Sequence, residues 1–348
     1  METKIIGFDQ VDLAVKSLDE GKAVCFPTET VFGIGVKADR QENFDRLVAI
    51  KRRPPEKPFT LMCASLTPIA RLAEVDARSI AVMKRFMPGM ITVLLKAREG
   101  VPHYLTLGLP TIGFRVPDDQ DVINMIDKAG YPLLVPSANP SGLAPALDSK
   151  TAKGYFDSEV EYVIDGECRS NTPSTIVDLS VPGNPKLIRE GPIKFDEILK
   201  FYNQKAPSIA LGCDHGAFSL KEHIKAHLEE MGFGCLDEGT HSACSCDYPI
   251  FAKKVGEDVA DGKAELGIVC CTSGEGVCIA ANKVKGIRCG IGYDDIVTGK
   301  VREHNDGNVI SFGAAYMKEE DVLRRVDIFL TEKFSSLQKH HRRVDEIE

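Results

Sequence analysis

The second half of the chain alternates short apolar strands with helices, and this pattern restricts the possible folds more than any other feature. Strands are predicted at residues 208–213, 266–270, 288–293 and 309–312, with a further short strand just before residue 237. Helices are predicted at residues 220–231, from just after Pro249 to residue 261, from about 277, from 294 to about 303 and at the C-terminus. Such alternation is typical of a parallel sheet with helices on both faces. Ligands of such sheets bind at the carboxyl edge, where the strands end.

The first half is less regular and predicts a twisted mixed sheet with flanking helices, so both halves are α/β. Strand-like runs lie at residues 23–26, 91–95, 112–116 and 174–179, and helical stretches lie at 44–51 and 79–86. A polar segment that includes Pro207 separates the halves. With 348 residues the chain is long enough for two domains, which we predict at residues 1–204 and 205–348.

The composition, 43% apolar and 27% charged, is that of an ordinary globular protein. A net charge of −8 argues against a protein that coats nucleic acid by bulk electrostatics, but it allows a small phosphate site. The first residues lack the basic start and apolar stretch of a signal peptide, and no apolar run approaches the length of a membrane span. We therefore expect a cytoplasmic protein with no membrane partner.

The cysteines do not indicate a disulfide framework, because their number, eleven, is odd and the chain has a cytosolic character. Cys244 and Cys246, with Cys235 and His241 nearby, raise the alternative of a zinc site. Their spacing lacks the two separated Cys-x-x-Cys pairs of a strong zinc template. A structural or incidental role is therefore favoured, and no side chain is predicted to bind a metal.

Residues 270–276, Cys-Cys-Thr-Ser-Gly-Glu-Gly, form a predicted strand-to-helix turn that combines a thiol with an anion-binding backbone. Amides at a helix N-terminus favour negative charge, and glycines let the backbone approach a ligand. The same position stabilises a thiolate. Cys271 is therefore a candidate base or nucleophile, and proton abstraction beside a carbonyl is one chemistry that needs this combination.

Three more polar groups accompany this turn: Asp214 and His215 after the first strand, residues 304–308 before the last strand, and the basic run 339–343. Taken singly, each is more simply a turn, a core residue or a solvated tail. Taken in order, they resemble the ribose-5-phosphate isomerases of type B and the galactose-6-phosphate isomerase subunits. The matching stretches are Gly-Cys-Asp-His at 212–215, Asp-Tyr-Pro at 247–249, Cys-Thr-Ser-Gly-Glu-Gly at 271–276, Ile-Ala-Ala-Asn-Lys at 279–283 and His-Asn-Asp-Gly-Asn at 304–308.

This resemblance implies a Rossmann-like parallel sheet and a role for each polar residue. Cys271 would move a proton between C1 and C2, His304 would open the sugar ring, and Asp214 would handle a hydroxyl or the ring oxygen. The enediolate would be held by Ser273, Gly274, Gly276 and Asn305, and the phosphate by His215, Lys339, His340 and Arg343. The resemblance further implies no cofactor, and a site shared between subunits of a homodimer or tetramer that assembles through this domain.

Two departures from the family pattern concern the phosphate. The family usually has an arginine after the Phe312-Gly313 position, where this chain has Ala314 and Ala315. Lys339 stands where arginine is common, and lysine cannot make the planar bidentate contact. Ribose 5-phosphate is the expected substrate, and a six-carbon sugar phosphate is the alternative.

The first half also carries clustered cations and turns rich in hydroxyl groups, which together suit a triphosphate. As a set they resemble the threonylcarbamoyl-AMP synthase (YrdC-like) family over roughly residues 5–195. The matching stretches are Pro-Thr-Glu-Thr-Val-Phe-Gly at 27–33, Lys-Arg-Arg-Pro at 51–54, Phe-Met-Pro-Gly at 86–89, Pro-Ser-Ala-Asn-Pro-Ser-Gly at 136–142 and Ser-Thr-Ile-Val-Asp-Leu at 174–179. A histidine that many longer relatives carry shortly after residue 54 is missing, as is their extra C-terminal domain.

This second resemblance implies a reaction of ATP, L-threonine and bicarbonate that yields threonylcarbamoyl-AMP for modification of tRNA adenosine 37. Mg²⁺ would accompany the ATP, and tRNA-modification proteins would be partners. The residues implied at ATP are Lys51, Arg53, Lys57, Thr111, Asn139 and Arg189. Those implied at threonine are Thr30, Arg115, Ser137 and Ser174.

The sequence therefore predicts a fusion of two enzymes. The competing hypothesis is that the first half is a module that binds RNA and makes no adenylate, since its cations suit either role.

Overall fold

The structure, a computed structural model, describes residues 2–52, 56 and 58–347. It divides into two compact units. Unit 1 comprises Met1–Glu74 and Arg85–Phe201, and unit 2 comprises Val75–Lys84 and Tyr202–Glu348. The short segment 75–84, from the first half of the sequence, thus belongs to unit 2. None of the helices in the described ranges has the length and apolar character of a membrane span.

The first half contributes one mixed sheet, which confirms the predicted fold class. Its strands are β1 (Lys4–Ile6), β2 (Val24–Phe26), β3 (Gly33–Lys37), β4 (Leu61–Met62), β5 (Ile91–Lys96), β6 (Thr111–Arg115), β7 (Leu133–Leu134), β8 (Tyr162–Ile164), β9 (Thr175–Asp178) and β10 (Lys186–Arg189). Their order across the sheet is β1-β8-β2-β3-β7-β4-β6-β5-β9-β10. β6 pairs antiparallel with β5 and parallel with β4, so parallel and antiparallel neighbours alternate in this part of the sheet.

The first half of the sequence also forms the helices α1 (Val11–Asp19), α2 (Gln41–Lys51), α3 (Thr67–Leu72), α4 (Ala77–Phe86), α5 (His103–Thr106), α6 (Gln120–Ala129), α7 (Ser149–Phe156) and α8 (Phe195–Tyr202). Helix α6 shows how the sequence sets their limits. The Asp119 side chain accepts hydrogen bonds from the amides of Asp121 and Val122, and the helix ends at Gly130 in the left-handed region. Its apolar side buries Met125 in a core with Leu18 and Phe26.

Unit 2 contains the predicted parallel sheet. Its strands are β11 (Ser208–Cys213), β12 (Gly234–Gly239), β13 (Leu266–Cys271), β14 (Cys289–Ile291) and β15 (Val309–Gly313). They pair only in parallel, in the order β12-β11-β13-β15-β14. The helices are α9 (Phe218–Glu230), α10 (Tyr248–Ala260), α11 (Glu275–Ala281), α12 (Asp295–Asn305), α13 (Glu319–Thr331) and α14 (Gln338–Asp345). Val255, Val269, Val277 and Val309 form the core between the sheet and helices α10 and α11.

Three predicted boundaries in unit 2 differ from the structure. Helix α11 begins at Glu275, two residues before the predicted start, because Gly274 already supplies its left-handed cap. Strand β14 is three residues long rather than six, since it is an edge strand whose only sheet partner in the described residues is β15. The single predicted C-terminal helix is two helices, α13 and α14, separated by an extended stretch that begins at Glu332.

Candidate active sites

The turn after β13 holds the Cys271 thiol against the backbone. The side chain is 5% exposed, and its Sγ accepts a hydrogen bond from the Gly274 amide at 3.1 Å. Gly274 has a φ of 85°, and a Cβ there would lie 2.9 Å from the carbonyl carbon of Phe312. Only glycine fits this position, because both the dihedral angle and the space exclude other residues. The turn therefore brings the sulfur to the loop that the sequence predicts as an anion cradle.

Tyr248 covers the next part of the same loop. A Cβ on Gly276 would lie 2.8 Å from the Tyr248 ring, so the ring rests directly on the backbone. Ser273 Oγ accepts a hydrogen bond from the Glu275 amide at 3.3 Å. Tyr248 is absent from the predicted site residues, although the Asp-Tyr-Pro stretch at 247–249 carries the signal that could have identified it.

Asp214 and His215 lie beside Cys271, because β11 and β13 are neighbours and both end at this edge. The Asp214 amide donates to the Cys270 carbonyl at 3.3 Å, and the Asp214 carboxylate accepts from the Gly216 amide at 3.0 Å. His215 Nδ1 accepts from the Cys246 amide at 3.2 Å, which leaves Nε2 to carry the proton of the neutral ring. Cys246 thus orients His215, a role that the sequence analysis missed because cysteine spacing does not reveal a backbone donor.

His304 and His340 form a second group. Their rings stack with centroids 4.2 Å apart, and His340 is 2% exposed with no hydrogen-bond partner for Nδ1 among the described residues. Burial lowers the pKa of both imidazoles, and Lys300 beside His304 and Lys339 beside His340 lower the two pKa values further. Both rings are therefore neutral near pH 7 and can accept a proton. Lys339 and Arg343 share helix α14 with His340.

The two groups lie at opposite edges of the sheet. Cys271 pairs with Gly313 at the carboxyl ends of β13 and β15. Helix α12 follows the carboxyl end of β14 and leads back to the amino end of β15, which begins at Val309. His304 lies in the last turn of this helix and therefore near the amino edge of the sheet. The length of β15 separates them, roughly 15 Å at about 3.3 Å per residue. One chain therefore holds two separate sets of predicted residues. The first set, at the carboxyl edge, is Asp214, His215, Cys271 and Ser273. The second set, near the amino edge, is His304, Asn305, Lys339, His340 and Arg343.

In unit 1 a buried ion pair marks the predicted threonine site. Arg115 donates to Glu29 Oε1 at 2.7 Å and to Thr30 Oγ1 at 2.8 Å, and Glu29 is fully buried. Glu29 Oε2 and Arg115 Nε are buried without a hydrogen-bond partner among the described residues. Buried polar atoms without a partner are uncommon in folded proteins, so Glu29 and Arg115 are candidates for contact with a substrate. Glu29 is missing from the predicted residues, although it stands next to Thr30 in the matching stretch.

Two further predicted residues meet where β9 begins and β10 ends, namely Ser174 just before β9 and Arg189 on β10. The Ser174 and Thr92 hydroxyls lie 2.9 Å apart, and Arg189 donates to the Ser174 carbonyl at 2.7 Å. Burial lowers the pKa of Arg189, and the neighbouring charge of Arg115 lowers it further, so the two guanidinium groups act on each other. Ser174 therefore contacts Arg189, and Arg115 lies near enough to act on the charge of Arg189.

The remaining predicted ATP residues are spread more widely. Lys51 is buried, and its Nζ contacts the Ser137 carbonyl, the Asn139 carbonyl and, at 3.2 Å, Asn139 Oδ1. Lys51 therefore holds the turn of Ser137 and Asn139. Thr111 begins β6 and lies four residues from Arg115, about 13 Å along the strand. Arg53 and Lys57 lie outside the described residues.

Two family models match separate parts of the chain. The family described as Telomere recombination (Sua5–yciO–yrdC) matches residues 16–191, and that described as Ribose/Galactose Isomerase matches residues 209–347. Threonylcarbamoyl-AMP synthase of Pyrococcus abyssi is 34% identical over 193 residues, 55% of this chain and 56% of the relative. The chain thus spans little more than half of that relative's length. Ribose-5-phosphate isomerase B of Escherichia coli is 40% identical over 139 residues, 40% of this chain and 93% of the relative. A solved structure of a mutant P. abyssi Sua5 matches with 25% identity and a TM-score of 0.54, over 81% of this chain and 95% of that one.

Proposed function

The chain belongs to the Sua5–yciO–yrdC family through its first half and to the ribose/galactose isomerase family through its second, and from this premise we propose that it is a bifunctional cytoplasmic enzyme. Unit 2 isomerises a sugar phosphate between its aldose and ketose forms. Unit 1 makes threonylcarbamoyl-AMP from ATP, L-threonine and bicarbonate. The observation that carries the isomerase is the position of Cys271 at the glycine turn. The one that carries the synthase is the incompletely satisfied pair of Glu29 and Arg115 beside Thr30.

In the isomerase, Cys271 is the base that moves the proton between C1 and C2. Its sulfur accepts a hydrogen bond from the Gly274 amide, so the 273–276 loop lies next to the base, and we assign the enediolate oxygen to this loop. Asp214, held at the same edge through the Gly216 amide, handles a sugar hydroxyl or the ring oxygen. His215, which Cys246 orients, presents Nε2 to the phosphate.

The site is completed by a second copy of the chain. His304, His340, Lys339 and Arg343 cannot reach the substrate of their own Cys271, because the length of the sheet separates them. A homodimer that places the His304 edge of one subunit against the Cys271 edge of its partner supplies the ring-opening group and the phosphate cations. Exposed apolar side chains near the carboxyl edge suit such an interface, among them Tyr293 at 61% and Tyr316 at 80% exposure. A tetramer could form by pairing two such dimers.

Ribose 5-phosphate is the substrate we favour, because the isomerase B relative matches over nearly its full length. The family description also names galactose, and Ala315 stands where family members usually carry an arginine. A six-carbon sugar phosphate is therefore the alternative. Initial rates with ribose 5-phosphate and galactose 6-phosphate on the purified protein decide between them.

In the synthase, Thr30, Arg115, Ser137 and Ser174 face threonine, and Arg189 and Asn139 face ATP. Arg53 and Lys57 of the Lys-Arg-Arg-Pro region add cations to the triphosphate, and Lys51 orders the Ser137–Asn139 turn that both substrates contact. Magnesium enters with the ATP, and the proposal assigns no side chain as its ligand. Catalysis rests on positioning and charge stabilisation, because the reaction needs no covalent nucleophile. The product serves tRNA adenosine-37 modification together with partner proteins.

The deciding experiment for unit 1 is pyrophosphate release from ATP by the purified full chain. The proposal requires release that depends on both L-threonine and bicarbonate. If release does not depend on them and the protein instead retains tRNA in a binding assay, unit 1 is an RNA-binding module. The isomerase assay on the same preparation shows that the protein is folded.

A further inference from the structure

Two cysteines that the proposed reaction does not use lie together behind the Cys271 loop. Cys278 is in α11 and Cys289 begins β14, and both are half-buried. Cys278 Sγ lies 3.3 Å from the Cys289 carbonyl oxygen. Asn282 fastens the two segments to each other, because its Nδ2 donates to the carbonyls of Cys278 at 3.0 Å and Cys289 at 2.9 Å. Its Oδ1 accepts from the Cys289 amide at 2.8 Å, so both cysteine backbones are held by one side chain.

The two thiols differ in acidity. A hydrogen bond from the Cys289 thiol lowers the pKa of Cys278 to about 7. The same hydrogen bond is the main cause that raises the pKa of Cys289, and burial raises it further. Cys278 is thus the more acidic of the two thiols, and Cys289 keeps its proton to higher pH. A low-pKa thiol beside a protonated one is the arrangement of an attacking and a resolving cysteine.

We propose that Cys278 and Cys289 are an oxidisable pair that closes to a disulfide when the protein meets a peroxide. The Cys278 thiolate attacks one oxygen of hydrogen peroxide, which forms a sulfenic acid and releases hydroxide. The Cys289 sulfur then displaces the sulfenic oxygen as water, and the S–S bond forms. Two electrons pass from the two sulfurs to one peroxide, and reduction by a dithiol reverses the change.

Closing the bond acts on the loop that holds Cys271, a consequence that rests on the proposed isomerase function. A disulfide brings the sulfurs to about 2.05 Å, which draws α11 toward β14. The start of α11 has no free space to absorb this movement. Gly274 lies against the Phe312 backbone and Gly276 against the Tyr248 ring. A displacement of about 1 Å at catalytic groups costs on the order of 100-fold in rate, so oxidation lowers isomerase activity at least tenfold.

The test treats the full chain with hydrogen peroxide, blocks remaining thiols, and maps tryptic peptides without reduction. Cleavage at Lys263, Lys283, Arg288 and Lys300 places Cys278 in peptide 264–283 and Cys289 in peptide 289–300. The expected result is a link between these peptides in the wild type that dithiothreitol removes. The link must disappear in Cys278→Ser, because peptide 264–283 also contains Cys270 and Cys271.

Activity measurements on the same samples separate this effect from oxidation of Cys271 itself. Wild type and the matched control Cys235→Ser should lose at least tenfold in isomerase rate and recover with dithiothreitol. Cys278→Ser and Cys289→Ser should start near wild-type activity and keep most of it at the same dose. Absence of the link, or equal loss in the two serine variants, overturns the proposal. Absence of isomerase activity before oxidation would instead contradict the proposed function, while the peptide link would still test the pair.

Discussion

The two candidate sites attract a negatively charged group by different means. In unit 1 the donor is a side chain, Arg115, which is itself buried against the carboxylate of Glu29. In unit 2 the donor to Cys271 is a backbone amide, that of Gly274, which lies in the left-handed region. A buried charge pair links binding to stability, because removal of one partner leaves the other uncompensated. A site made of backbone amides keeps binding and stability apart. A side chain of such a site can be replaced while the amides that bind the ligand remain in place.

The largest expected effect is at Cys271. Replacement of Cys271 by Ala should lower isomerase kcat by about 10² to 10⁴, the usual loss for a general base, and leave the melting temperature nearly unchanged. Cys270→Ala is the matched control, because Cys270 is fully buried on the opposite face of β13 and should keep its activity. Steady-state kinetics and thermal unfolding check both variants. Near-normal turnover by Cys271→Ala would refute its assignment as base.

Arg115→Ala should behave differently, since activity and stability fall together. Loss of one partner of a buried ion pair costs about 3 to 5 kcal/mol, and the same guanidinium is proposed to bind threonine. We expect at least a 100-fold loss in threonine-dependent pyrophosphate release and a lower midpoint for the unfolding of unit 1. The double variant Arg115→Ala/Glu29→Gln should recover stability but not activity. If the double variant recovered activity as well as stability, Arg115 would have a structural role only.

Arg343→Ala tests the cations at the other edge of unit 2. A hydrogen bond to a charged group contributes about 1.5 to 3 kcal/mol, so KM for the sugar phosphate should rise roughly 10- to 150-fold. The change in kcat should be smaller, because the phosphate is bound in both the ground and the transition state. Arg342→Ala on the same helix is the control and should leave KM unchanged. Ala315→Arg should lower KM if the pocket has kept the family's shape.

The separation of the two edges predicts complementation between inactive subunits. A purified heterodimer of Cys271→Ala and His304→Ala should recover about half of the wild-type activity, because one of its two sites is intact. A heterodimer of Cys271→Ala and Asp214→Ala should recover none, since both substitutions fall on the same edge and damage both sites. Differently tagged, co-expressed subunits allow this measurement. Equal activity of the two heterodimers would show that the site is not shared.

The smallest effect concerns pH. Burial and Lys300 lower the pKa of His304, so its neutral form persists to more acidic pH than an imidazole with the usual pKa of about 6.5. The acid limb of isomerase kcat should therefore lie below pH 6.5. Lys300→Ala removes a positive charge, which raises the His304 pKa and should move this limb toward neutral pH by a fraction of a unit. A pH–rate profile of the two proteins measures the shift, and movement in the opposite direction would exclude His304 as the titrating group.

Much of unit 2 could be predicted because its pattern is local. Asp294 and Gly274 cap helices α12 and α11, apolar runs form the strands, and strand–helix alternation implies a parallel sheet. The fold of unit 1 is harder to predict from sequence, because its sheet mixes short strands whose partners lie far apart in the chain. β4 and β7 are only two residues each, and no periodicity can be seen in so short a run.

By itself, the sequence determined the two families, the sheet types and the residue types that carry the chemistry, because motifs and caps are properties of neighbouring residues. Tertiary structure alone decided which of those residues meet. It placed Cys271 and His304 at opposite edges of one sheet, turned Lys51 toward the Ser137–Asn139 turn, paired Glu29 with Arg115, and brought Cys278 to Cys289. These relations depend on strand order and helix direction. Both bring residues that are distant in the chain into contact, and both keep apart some residues that belong to the same predicted site.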